Sequence, residues 1–343
     1  MSSQTERPTM SSLPVSVPAS RIWLHRLTVL APLWTLIALG VFFSITSETF
    51  LRPVNLNNIL SQIATLAIFG TGMTFVLLTG EIDLSIAAVA ALSGMIAAHL
   101  HANLNMPDPI PLLAGLGVAT VLGLISGVAS TRFRIPTFMT TLAMSLIAGG
   151  LNTYVSKGRV ISRLPESARF LGSGRVELPL IGEVRVLIIV AAITLLIGYL
   201  ILRYTRFGRY VYMTGASKPA ARLAGVNTNL ILVAVLTIMG FTAGLAGIVS
   251  MGRLGSAQPD EIPSFLIDTI GAVVLGGTAL TGGRGGIPQT LIGLLIYGTL
   301  RNGLDNISSI DVYLKDFITG VVLMAALVVN VILAGRAPRD RTV

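Results

Sequence analysis

Residues 78–85 read Leu78-Thr79-Gly80-Glu81-Ile82-Asp83-Leu84-Ser85 and set two carboxylates between apolar runs that are almost free of charge. Charged side chains at membrane depth are expensive and tend to be functional where they occur. The flanking runs, near 59–79 and 84–99, have the apolar character of membrane-crossing helices, which need roughly 17–25 such residues. The same reading along the chain gives about ten spans, near 28–46, 59–79, 84–99, 111–130, 137–155, 186–202, 229–250, 264–280, 287–301 and 316–334. The expected fold is therefore all-α and polytopic, with about ten transmembrane helices.

Composition agrees. Of 343 residues, 53% are hydrophobic and 11% charged, with a mean hydropathy of +0.81, whereas a soluble domain is about one quarter charged. The net charge of +9 would suggest nucleic acid in a soluble protein, but here Lys and Arg gather between apolar runs, as helix ends and cytoplasmic loops require. Nucleic-acid binding is excluded on that ground. Gly 36 and Cys 0 favour close helix packing and rule out a disulfide framework.

Residues 1–27, rich in Ser, Thr and Pro, are expected to form a disordered cytoplasmic tail rather than a cleavable signal, with the membrane domain at 28–334 and a second cytoplasmic tail at 335–343. The basic residues set the orientation. With both termini in the cytoplasm, the inner segments hold Arg21, Arg26, Arg132, Arg134, the 203–227 loop and Arg284, while the outer ones hold Arg52, Arg253, Arg301 and Lys315. The basic loop 156–185 is the exception, falling outside. Leu78-Thr79-Gly80 recurs as Leu280-Thr281-Gly282, a faint echo consistent with an internal repeat of span–turn–span units.

Three stretches could carry chemistry. In the first, Asp83 can cap the amides that open the third span, or Glu81 and Asp83 can line or gate a polar pathway if the turn dips into the membrane. The second, 203–227, contains a short helix signal: Ser217 as N-cap, Pro219 in the first turn, Ala220-Ala221-Arg222-Leu223 as helix formers and Gly225 as the stop. Alone, it reads equally as an amphipathic turn on anionic lipid. The third, Gly276-Gly277 to Gly286, superficially looks like a phosphate loop but lacks the Gly-Lys-Ser/Thr ending, so ATP is not expected to bind this chain and the glycines serve turning and helix approach. His25, His99 and His101 lie near span ends without clustered ligands, so no metal site is expected.

GEIDLS after a glycine-bearing span, the loop GASKPAARLAGVN, and FLIDTIGAVVLGGTALTGGRGG followed by RNGLDNI together resemble the permease subunit of ribose-type ABC importers for monosaccharides, over roughly residues 50–334. That resemblance implies a permease dimer in the bacterial inner membrane, cytoplasmic ATPase subunits that bind ATP and Mg, and an extracytoplasmic sugar-binding protein. It assigns Gly215, Ser217, Ala220, Ala221, Arg222, Leu223 and Gly225 to the ATPase-coupling loop, and Gly80, Glu81, Asp83 and Ser85 to the pathway or gate. Gly276, Gly277, Gly282, Gly283 and Gly286 match its glycine-rich segment and are expected to pack helices. Where the family has an acidic residue near the start of the coupling helix, this chain has Lys218-Pro219-Ala220. The Arg-rich outer loop is expected either to dock the binding protein through Arg163, Arg169 and Arg175 or to form a solvated hairpin or helix over the channel mouth.

Three alternatives stay open at this level. Related permeases carry nucleosides, a sugar-derived signal or branched-chain amino acids. An ion-coupled secondary transporter would need paired charges deep in several spans, and beyond Asp83 and Asp268 few are present. An integral membrane enzyme would need converging His, Asp, Ser or Lys groups, and no such set is visible.

Overall fold

The computed structural model describes residues 31–179, 182–259, 263–307 and 311–335; the two expected tails lie outside them, apart from Gly335. The described residues form thirteen helices and one hairpin. In order these are α1 (Ala31–Thr46), α2 (Pro53–Leu78), α3 (Ile86–Leu104), α4 (Ile110–Phe133), α5 (Thr137–Ser156), α6 (Glu166–Ser173), β1 (Arg175–Leu178), β2 (Gly182–Arg185), α7 (Val186–Tyr204), α8 (Arg206–Ala216), α9 (Lys218–Leu223), α10 (Thr228–Leu254), α11 (Pro263–Leu275), α12 (Ile287–Asp305) and α13 (Val312–Gly335).

Each of the ten expected stretches contains a helix, but among the described residues only α2, α3, α4, α5, α7 and α10 are both long and apolar enough to cross a membrane. Two boundaries differ from expectation for clear reasons. α2 begins at Pro53, which suits the first helical turn, and its opening turns carry Asn55, Asn57 and Asn58, so hydropathy alone missed them. Buried Asn55 donates to Asn302 Oδ1 at 2.8 Å and to the Phe50 carbonyl at 2.9 Å, which satisfies its amide. α11 stops at Leu275 instead of near 280, because Gly276 and Gly277 follow and Gly277 holds φ +109°.

α2 is the hub. Most of its residues are buried, as befits a helix apolar all round, and α10, α7, α12 and α11 pack around it. α4, α5 and α7 form the periphery and leave Leu113, Val121, Leu146, Ile147 and Leu196 exposed, the surface that lipid requires. Glycines set the spacing of α4 and α10. A Cβ on Gly123 would overlap the Leu236 carbonyl, and one on Gly240 the Ala119 carbonyl. The helices touch backbone to backbone, as small residues allow in membranes.

The 156–185 loop contains both elements foreseen for it. β1 and β2 pair antiparallel, Val176 with Val184. α6 is pinned by Asp108, whose carboxylate accepts the Ser167 amide at 2.8 Å, and by close backbone packing of Gly172 on Gly252 and Arg253 of α10.

Gly240→Leu should destabilise the fold by about 3 kcal/mol or more through overpacking, read as a lower melting temperature in detergent. Gly117→Leu, on the partner helix α4 but with no neighbour within 4 Å of its would-be Cβ, should leave melting unchanged.

Candidate functional site

Three segments distant in sequence meet at one end of the bundle: the turn after α2, the α8–α9 corner and the loop between α11 and α12. α2 ends at Leu78 with Thr79 as its C-cap, and Gly80 turns the chain at φ +75°, a conformation that glycine alone adopts freely. The Gly283 amide donates to the Leu78 carbonyl at 2.9 Å. A Cβ on Gly215 would run into that same carbonyl, and one on Gly282 would sit 2.7 Å from the Gly80 nitrogen and 3.0 Å from the Gly215 Cα. Gly80, Gly215, Gly282 and Gly283 therefore form a junction of bare backbone. The recurring Leu-Thr-Gly triplets belong to the two turns that meet here.

Glu81 leaves this junction and pairs with Lys218, the first residue of α9. The expected pathway turn and the expected coupling helix are thus joined by an ion pair, at the position where the chain departs from the acidic family pattern. Tyr212 of α8 adds a second tie, its hydroxyl donating to the Gly285 carbonyl at 2.9 Å; burial pushes that phenol above its ordinary pKa, opposed by Arg203.

Asp83 does not cap α3 as expected. Its Oδ1 accepts from the Ser85 amide at 2.7 Å and the Ser85 hydroxyl at 2.6 Å, a local turn that precedes the helix, while Ser85 occupies the N-cap position without a side-chain cap. The carboxyl is 2% exposed. Burial pushes its pKa upward, and the Ser85 bonds pull it partly back. The Leu84 amide donates to Thr141 Oγ1 of α5 at 3.1 Å, so this turn is fixed on both sides.

α9 forms as its sequence foretells. Ser217 Oγ accepts the Ala220 amide at 3.3 Å, Pro219 sits in the first turn, and Gly225 follows at φ +83°. Ala221 is buried, Ala220 and Gly225 are exposed, and Arg222 bonds Thr228 and Asn229 of α10. Leu223, 92% exposed, is a large apolar side chain at the tip of the corner.

Of the expected helix-packing glycines, three press on a helix: a Cβ on Gly276 would overlap the Gln289 carbonyl of α12, and Cβ atoms on Gly282 and Gly283 would crowd Gly215 and Ala216 of α8. Gly277, Gly282, Gly283 and Gly286 also hold φ of +109°, +85°, +73° and +152°, so they serve the turn. Arg163 and Arg169 are exposed and bond Asn105 and the Ser162 carbonyl, while Arg175 pairs with Glu183 across the hairpin at 3.0 Å. His99 and His101 bond Asn103 and the Met106 carbonyl; His25 lies outside the described residues, among which no group of three or more His, Cys, Asp or Glu could hold a metal.

Toward the opposite end lies a cavity of about 270 Å³ lined by Gln62, Phe265, Asp268, Tyr297 and Arg301, among others. Sequence reading missed it, although Asp268 stood out as an acidic residue near the start of an expected span.

A bundle with six helices long and apolar enough to cross a membrane among its described residues is that of a multi-pass membrane protein. The chain belongs to the family described as branched-chain amino acid transport system / permease component, which matches residues 55–327. It is 36% identical to the ribose import permease protein of Escherichia coli over 91% of this chain and 95% of that one, and 36% identical to its Bacillus subtilis counterpart over 88% and 92%. The fructose import permease protein of Rhizobium meliloti is 34% identical over 82% and 79%.

Asp83→Asn retains an acceptor for Ser85 and removes a charge that burial already disfavours, so it should shift stability by less than about 1 kcal/mol. Asp83→Ala leaves the Ser85 amide and hydroxyl unpaired and should cost about 1–3 kcal/mol. Melting of both variants in the same detergent checks the order.

Proposed function

We propose that this chain is the membrane-spanning subunit of an ATP-driven importer that passes a monosaccharide of the ribose class, delivered by an extracytoplasmic binding protein, across the bacterial inner membrane. The observation that carries the reading is likeness to ribose and fructose import permeases along nearly the whole chain. ATP and Mg belong to separate ATPase subunits, and the chain works as a dimer with itself or a sister subunit. About ten helices cross, α1, α11, α12 and α13 completing the set, with both termini in the cytoplasm. That orientation puts the glycine junction and α9 on the cytoplasmic side.

The mechanism follows from the geometry. A sugar must exchange many hydroxyl–water hydrogen bonds and cannot cross hydrocarbon unaided. In the proposed cycle the ATPases grip α9, with Leu223 as the apolar contact and Ser217, Ala220, Arg222 and Gly225 around it. Motion of α9 passes through the Lys218–Glu81 pair and the Gly215 contact to the end of α2, the hub, and so reopens the pathway. The two span–turn–span units around Gly80 and Gly282 would move together as repeats. The family description favours one second reading, a branched-chain amino acid as cargo.

Deleting the chain in its native host should abolish ATP-dependent uptake of one pentose or hexose. Uptake of leucine instead would establish the second reading, and uptake driven by an ion gradient would return the secondary transporter. Leu223→Asp should cut sugar uptake at least about tenfold and weaken ATPase co-purification while the melting temperature stays put, since surface substitutions rarely alter stability. Lys218→Glu should also reduce uptake, and the swap Glu81→Lys with Lys218→Glu should restore it; a swap no better than the single variant removes the pair from the transmission. Neutralising Arg163 and Arg169 should lower uptake at low ionic strength and matter less as salt rises.

A further inference from the structure

We infer that α8, together with the end of α7, is a platform that binds the headgroups of anionic phospholipids through Arg203, Arg206 and Arg209. The inference rests on α7 crossing the membrane and not on the cargo. Along α7, Ile193, Ile197, Leu200 and Tyr204 are exposed, and their spacing of three or four residues puts them on one helix face. That face is apolar until it ends in Arg203 and in Tyr204, which is 68% exposed. Basic and aromatic side chains anchor a span at the boundary between lipid and water, so the chain reaches headgroup level here.

α8 begins at that boundary and is held to the bundle by its other face. Thr205 Oγ1 accepts the Gly208 amide at 3.1 Å, and a Cβ on Gly208 would overlap the Ile201 and Leu202 carbonyls. The helix is thus folded directly onto the last turn of α7. Phe207 stacks on Phe75 of α2 with ring centroids 6.2 Å apart, and Val211 and Thr214 are buried. Arg206, Arg209, Tyr210 and Met213 remain exposed, and positions i, i+3, i+4 and i+7 share a face.

The charges on this face have no partner in the protein. Among the described residues none of Arg203, Arg206 and Arg209 forms an ion pair, and Glu81, at the same end of the bundle, is taken by Lys218. Helix stability does not account for them either. Arg206 and Arg209 lie at the start of α8, where the helix dipole disfavours cations, and no acidic residue offsets them in the first turn. A lipid phosphate does, because a guanidinium can donate to two of its oxygens at once. Anionic lipid presents such groups at the level where the apolar face of α7 stops. Since Gly215 of the same α8 meets the Leu78 carbonyl, a headgroup held on the outer face ties the glycine junction to the bilayer surface.

The test titrates the full-length permease in detergent with phosphatidylglycerol or phosphatidylcholine and counts bound lipid by native mass spectrometry. Phosphatidylglycerol should bind in preference, and less tightly as ionic strength rises. Each single Arg→Gln change among the three should weaken it about fivefold, and the triple variant about a hundredfold. Arg203→Lys, Arg206→Lys and Arg209→Lys together keep the charge and should retain most of the binding. Arg132→Gln with Arg134→Gln, at exposed positions after α4 that do not share a helix face, should leave it within about twofold. Equal binding of the two lipids, a triple Gln variant that binds like the wild type, or an equal loss in the Arg132 and Arg134 variant overturns the platform. If the triple Gln variant fails to fold, Arg206→Gln alone decides, since an exposed substitution rarely alters stability. A triple variant that binds lipid normally but no longer co-purifies with the ATPase gives this face to the ATPase instead.

Discussion

The hydrogen bond from the Gly283 amide to the Leu78 carbonyl is the contact on which the arrangement turns. It joins the end of the central helix to the loop before α12, and it forms only because Gly80, Gly215, Gly282 and Gly283 present no side chain where three segments converge. Any Cβ at Gly215 would push α8 off α2. Since α9 follows α8 after one residue, the placement of the exposed corner helix depends on this bare-backbone contact. The Lys218–Glu81 ion pair lies over the same contact and is partly solvated, so its own stabilisation is small; its value is in fixing which way the corner faces.

Much of the architecture was legible as runs of apolar residues. What the runs concealed was polar chemistry inside them. The asparagines at the start of α2 looked like the end of a loop, yet Asn55 is buried and paired with Asn302, 247 residues away. Residues 276–280 looked like the tail of a span because glycine and threonine are scarcely polar, yet the 276–286 backbone holds five glycines at positive φ and cannot be helix. α9 was read correctly because its signals are local: a cap, a proline and a terminating glycine within nine residues.

The candidate site was legible in its parts and not in its assembly. Glu81 and Lys218 were both singled out, but nothing in a separation of 137 residues announces a pair. Asp83 was read as a helix cap from its position, and its carboxylate instead closes a turn on Ser85, a difference of two residues in hydrogen-bond reach that only coordinates decide. The cavity depends on α2, α11 and α12 lying side by side, which no single run of residues announces.

The bare-backbone junction also bears on how such a protein can diversify. Positions where only glycine fits cannot drift, so the end of the bundle that holds the junction is frozen by geometry alone. The cavity toward the other end is lined by side chains, each replaceable one at a time without disturbing the contact at Leu78. A lineage built on this plan can therefore vary the lining at one end while the backbone contact at the other stays as it is.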